Sequence, residues 1–116
     1  MRVVLDTNLV ISGMLWSGSP RTVLRFADSE HVDAVTSEAL VDELRDVLQR
    51  DKFTKYLQRL QKTPDELVTV LEAAVSGKVA FIVSGDDDLL SLKTYEDITI
   101  LNTRDFLERI QQDDET

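Results

Sequence analysis

Short β-branched runs alternate with helical stripes along this chain. Val3-Val4-Leu5 has the pattern of a buried strand and ends at Asp6. Ser19-Pro20 predicts a helix start, with Ser19 as N-cap and Pro20 at the first helical position. Val23, Leu24 and Ala27 form its stripe, which fades near Ser29, and His31 to Val35 reads as a second strand. Ser37 caps a helix whose Leu40, Leu44, Val47 and Leu48 share one face. Beyond Asp51-Lys52, the residues Phe53, Tyr56, Leu57 and Leu60 continue an apolar stripe in a further helix. Thr63-Pro64-Asp65-Glu66 is a capping box that opens another, carrying Leu67, Val70, Leu71, Ala74 and Val75, with Gly77 as its stop. Val79 to Val83 is an apolar run of strand length ending in Ser84-Gly85-Asp86, followed by a short helix from Asp87 to Lys93. Ile98 to Leu101 is a fourth strand, and Asn102-Thr103 caps a last helix with Phe106, Leu107 and Ile110 inward, before a polar tail that frays from Gln111 to Thr116.

Strands alternating with helices predict an α/β fold, with a parallel sheet of about four strands flanked by helices on both faces. Asp6 and Asp86 each follow a strand, so both fall at the carboxyl edge of that sheet, where open α/β sheets bind ligands.

Composition narrows the chemistry. The chain has 116 residues, a length that predicts one domain over 1–116. It has no cysteine and one histidine, which excludes disulfides, thiolate zinc sites, cysteine nucleophiles and His-rich metal sites. Met1-Arg2 leads straight into a strand run that carries an acid, and no apolar run reaches membrane length, so a cytoplasmic protein without membrane attachment is expected. The net charge of −9, from 22 acids against 13 Lys and Arg, argues against a passive nucleic-acid binder held by basic groups. It is compatible with an enzyme that handles phosphates through divalent cations.

Three groups of acids are candidates for such a site. Asp6 in Leu5-Asp6-Thr7-Asn8 is either a helix cap or a cation ligand. In Ser84-Gly85-Asp86-Asp87-Asp88, capping explains one or two acids, whereas a Mg²⁺ or Mn²⁺ ion relieves the repulsion of all three. Glu43, three after Leu40 and four before Val47, lies at the edge of an apolar stripe, with Asp42 and Asp46 on the outer face; an ion pair is its alternative. His31, at a strand start, carries no nucleophile signature, and neither Ser12-Gly13 nor Ser17-Gly18 makes a phosphate-binding glycine loop. Trp16 reads as a hydrophobic cover rather than a base-stacking platform, and the basic residues from Arg45 to Lys62 as a solvated face.

The blocks Met1 to Ser12, Thr36 to Leu44, Leu48 to Phe53, Phe81 to Leu90 and Ile100 to Leu107 resemble the PIN domain family, in particular the toxin members of bacterial toxin–antitoxin modules. The resemblance covers nearly the whole chain. It implies a PIN-like three-layer fold and a Mg²⁺- or Mn²⁺-dependent endoribonuclease. By resemblance the catalytic residues are Asp6, Glu43 and Asp86, the metal ligands Asp6, Glu43, Asp86 and Asp88, and the supporting residues Thr7, Asn8 and Ser84. RNA is the implied substrate and an antitoxin protein the implied partner. Family members usually carry another strand and a D-P-x-D-D loop before the helix that leads into the Asp86 block. Here Thr63-Pro64-Asp65-Glu66 stands almost directly before the matching helix end, Leu71 to Lys78, so the chain reads as shortened between the central helices and the strand at 79–83. The family's remaining acid then falls near Leu67 or Val68. Such a loss exposes apolar surface, and a homodimer, with elements exchanged between chains as one form of it, is expected.

Two alternatives stand beside the nuclease. One is a catalytically degenerate PIN remnant that serves as a binding or interaction module. The other, a receiver-like phosphoacceptor domain, also clusters acids at strand ends, but it lacks a lysine after a late strand, Lys93 being in a helix before the last one.

Overall fold

The computed structural model describes residues 1–29, 32–49 and 64–114. Five strands, β1 (Arg2–Leu5), β2 (Asp33–Val35), β3 (Phe81–Val83), β4 (Thr94–Tyr95) and β5 (Ile98–Leu101), form one sheet in the order β2-β1-β3-β5-β4. The pairs β1–β2, β1–β3 and β3–β5 are parallel, and β4 is antiparallel to β5. The expected four strands are thus present, with a fifth added at the edge. Its hairpin turns through Glu96 and Asp97, both at positive φ (46° and 69°), between the paired residues Tyr95 and Ile98. Two-residue hairpins ask for that backbone and usually advertise it with Asn or Gly; Glu-Asp gives no such signal.

The helices are α1 (Thr7–Leu15), α2 (Ser19–Ala27), α3 (Glu38–Gln49), α4 (Pro64–Ser76), α5 (Asp87–Leu92) and α6 (Thr103–Asp114). Side chains alternate across the strands, so each face of the sheet builds its own core. Val4, Ile82, Ile98 and Ile100 pack with Leu40 of α3, Val70, Ala73 and Ala74 of α4 and Leu89 of α5. Val3, Phe81 and Val83 pack on the other face with Leu9 of α1, Val23 of α2 and Phe106 and Ile110 of α6. Phe106 meets Phe81 edge-on at 6.1 Å between ring centroids. The result is three layers, a mostly parallel sheet between two helical layers.

Several local expectations are corrected. α1 has no helical stripe in its sequence, because Leu9, Val10 and Ile11 are apolar in succession. It is helical because it is buried, with Thr7, Leu9, Ile11 and Gly13 inside. A Cβ on Gly13 would stand 2.6 Å from Leu24 Cδ1 and 2.9 Å from the Pro20 carbonyl, so the glycine lets α1 and α2 touch. α2 begins one residue early, with Gly18 (φ 125°) rather than Ser19 at the cap position. Gly77 is not the left-handed residue that ends α4; Lys78 is, at φ 52°. Gly77 is small because a Cβ there would lie 2.5 Å from Val35 Cγ1. α6 continues to Asp114, through most of the segment expected to fray. Trp16 covers little, with 55% of its surface exposed. The second strand spans Asp33–Val35; His31, the helix expected around Phe53 to Leu60 and the Thr63 cap lie outside the described residues.

Candidate functional site

Register decides which residues meet at the carboxyl edge. Leu5 pairs with Val83, and Val83 with Leu101. The next residue on each strand, Asp6, Ser84 and Asn102, therefore stands beside its neighbour. Backbone bonds extend the ladder into this row: Asp6 N–H donates to the Val83 carbonyl and Ser84 N–H to the Leu101 carbonyl, both at 3.0 Å.

Asp6 and Asn102 also cap helices, and Ser84 leads into a third cap at Asp86. Asp6 is the N-cap of α1 and accepts from Asn8 N–H at 3.4 Å. Asp86 caps α5, accepting from Leu89 N–H at 3.0 Å. Asn102 Oδ1 accepts from Asp105 N–H at 2.8 Å at the head of α6. Ser84 joins the first two caps. Its hydroxyl donates to Asp6 Oδ2 at 2.6 Å and accepts from Asp86 N–H at 3.0 Å. All three side chains are buried, Asp6 and Ser84 fully and Asp86 to within 5%. Carboxylates this deep require hydrogen bonds or a counter-charge, and the serine and the helix N-termini supply the bonds.

A cleft of about 230 Å³ opens beside this chain, lined by Asn8, Leu9, Ser12, Pro20, Gly85, Asp86 and Thr103. Asn8 Oδ1 is buried and has no hydrogen-bond partner among the described residues. An orphaned amide oxygen next to a buried carboxylate is an all-oxygen donor set, which suits a hard cation such as Mg²⁺ or Mn²⁺. Mg²⁺ commonly takes one or two protein carboxylates and leaves its other positions to water and substrate phosphates. The residues present therefore fit such an ion as a sparse site.

The structure brings together Asp6, Ser84 and Asp86, with Asn8 alongside and Thr7 buried in the first turn of α1. Glu43 is half-buried on α3, and Asp88 is exposed in the first turn of α5. Among the described residues, no three His, Asp or Glu side chains form a group that could hold a metal ion. Ser12 and Thr103 line the cleft and were not singled out as site residues; Thr103 carried a signal, since it follows a strand end as Thr7 follows Asp6.

The family model described as PIN domain matches residues 2–70, from β1 into α4. The match includes Asp6, Thr7, Asn8 and Glu43; Ser84, Asp86 and Asp88 lie beyond it. No curated protein and no solved structure matches the chain.

Proposed function

The chain belongs to the PIN domain family, which indicates a nuclease, and on that premise we propose that it is a Mg²⁺- or Mn²⁺-dependent endoribonuclease, the toxin of a toxin–antitoxin pair. The observation that carries this reading is the buried Asp6–Ser84–Asp86 chain at the sheet's carboxyl edge, beside a cleft lined by Asp86 and by Asn8, whose buried amide oxygen has no hydrogen-bond partner among the described residues. In this reading Asp6 and Asp86 hold the ion, with Glu43 and Asp88 completing the acid set. Ser84 holds Asp6 in place, while Thr7 and Asn8 shape the wall. Held there, a divalent ion would supply a polarised water for in-line attack on a phosphodiester and would offset charge on the leaving oxygen. Asp86 and Asn8 orient the substrate side of the cleft, and Leu9 and Pro20 keep part of it apolar.

The chain is further read as a single domain shortened after its central helices. The family match ends at Val70, inside α4, which supports that reading. Leu67, half-buried against the core, and Val68, exposed, stand where a further acid is expected. Low activity is the consequence. Exposed Val68, Val75 and Tyr95 beside a groove of about 380 Å³ support a homodimer. No helix among the described residues is long and apolar enough to cross a membrane, and a cytoplasmic location is proposed with the toxin role.

The test is cleavage of a fluorescent single-stranded RNA by wild type and Asp6→Asn, with and without chelator. Slow cleavage that needs Mg²⁺ or Mn²⁺ and disappears in Asp6→Asn is expected. Turnover that survives both changes would overturn the metal mechanism. One observation favours the second reading, a degenerate PIN domain used as an interaction module: no three-acid group forms among the described residues. Absence of cleavage with every divalent ion selects that reading.

A further inference from the structure

The first two helices end and begin at the rim of the cleft. Ser12, on α1, and Pro20, on α2, both line it. Between them the chain presents Met14, Leu15 and Trp16, which are 53%, 44% and 55% exposed. Trp16 caps the last turn of α1, four residues from Ser12, and its N–H donates to the Ser12 carbonyl at 2.9 Å. This lip is tied down. Arg21 Nε donates to the Gly13 carbonyl at 3.2 Å and Arg21 Nη2 to the Met14 carbonyl at 3.4 Å, and the absent Cβ of Gly13 lets Leu24 close against it. A large aromatic side chain is thus held in solvent on a braced turn beside the site.

We propose that Trp16 is a stacking platform for an unpaired base of single-stranded RNA, adjacent to the nucleotide whose phosphodiester enters the cleft. The inference rests on the nuclease reading of that cleft and adds how the substrate is gripped. At a net −9 the chain gains little affinity from phosphate neutralisation, so a grip on RNA has to come from the bases, and base–aromatic stacking is tolerant of sequence. Stacking requires a base that is not already paired and stacked, so single strands are selected over duplexes. The cleft supplies continuity, since Ser12 and Pro20, which line it, flank the segment that carries Trp16.

Trp16 is the one tryptophan of the chain, so its emission reports on the platform directly. Wild-type protein is titrated with an eight-nucleotide single-stranded RNA, the same sequence as a duplex, and an abasic strand of equal length. The readings are taken on mixing, in Mg²⁺ and in chelator. Saturable quenching by the single strand, weak quenching by the duplex and little by the abasic strand is expected. Fluorescence anisotropy of labelled RNA should show Trp16→Ala binding roughly tenfold more weakly, the scale of one lost stack, with Trp16→Phe retaining most of the affinity. Equal quenching by the abasic strand, unchanged affinity in Trp16→Ala, or an emission shift that follows protein concentration without RNA would overturn the proposal, the last by marking the lip as a protein–protein contact. Cleavage with no quenching removes the platform and leaves the nuclease. Quenching with no cleavage removes the nuclease and supports the platform.

Discussion

Replacing Ser84 by alanine tests the centre of the site. The hydroxyl serves two buried partners at once, donating to Asp6 Oδ2 at 2.6 Å and accepting from Asp86 N–H at 3.0 Å. Ser84 and Asp6 are fully buried and Asp86 nearly so, so solvent is poorly placed to take over either bond. A hydrogen bond to a charged group contributes about 1.5–3 kcal/mol, and a buried N–H left without an acceptor costs about 1–3 kcal/mol. The two losses share one atom and are not fully additive, which puts the expected destabilisation of Ser84→Ala at about 3–4 kcal/mol. Against a total of about 5–15 kcal/mol for a domain, that is a large fraction, with a fall in Tm of more than about 10 °C. Urea unfolding followed by far-ultraviolet circular dichroism measures it. Ser91→Ala is the control, since the Ser91 hydroxyl bonds the Asp88 carbonyl in an exposed turn and its loss should cost less than about 0.5 kcal/mol. A loss below about 1 kcal/mol for Ser84→Ala would refute the claim that this serine holds the two carboxylates together.

Gly77→Ala drives a methyl to within 2.5 Å of Val35 Cγ1 and should cost about 1–3 kcal/mol as an overpacking change; the double variant Gly77→Ala with Val35→Ala should recover part of it, and additive losses in denaturation would rule out that contact as the cause. Asp86→Asn should leave basal stability within about 0.5 kcal/mol, because Asn caps as well as Asp. Asp6→Asn should cost more, because one amide oxygen replaces two acceptors that serve Asn8 N–H and the Ser84 hydroxyl; thermal melts of the two variants in chelator compare them. Mg²⁺ at ten times its dissociation constant should add about 1.4 kcal/mol to the wild type and nothing to Asp86→Asn, a difference read as a Tm shift without any substrate.

Much of the fold was legible because the strands are short apolar runs and the helices open on recognisable caps. Ser37 bonds Leu40 N–H at 3.1 Å and Asn102 bonds Asp105 N–H, as their positions before apolar stripes implied. What was not legible depends on tertiary contact. α1 carries strand-like residues and folds as a helix between neighbours. β4 turns on two acidic residues at positive φ and exists only as an addition to β5. Gly13 and Gly77 look like punctuation in the sequence but act by close approach, to Leu24 and Val35. In the site, Asp6 and Asp86 were visible from their place after strands. The role of Ser84 as the link between them depends on the register of β1 against β3, which no local pattern encodes.

The same geometry bears on the choice between cap and ligand for the strand-end acids. At Asp6 and Asp86 the cap bonds are made by Oδ1, and a carboxylate offers about four acceptor sites, so a cap bond by itself does not preclude the proposed cation binding. Capping also fixes the side-chain rotamer, which is what a preorganised site requires. The acids differ once this is recognised. Asp88 sits exposed in the first turn of α5, where a carboxylate is favourable beside a helix N-terminus with no ion present, so its position carries little information about a metal. Glu43 sits in the middle of α3, half-buried, where capping gives it no role. Among the acids that the family likeness points to, Glu43 is therefore the one whose replacement by Gln best separates a cation site from a set of helix caps.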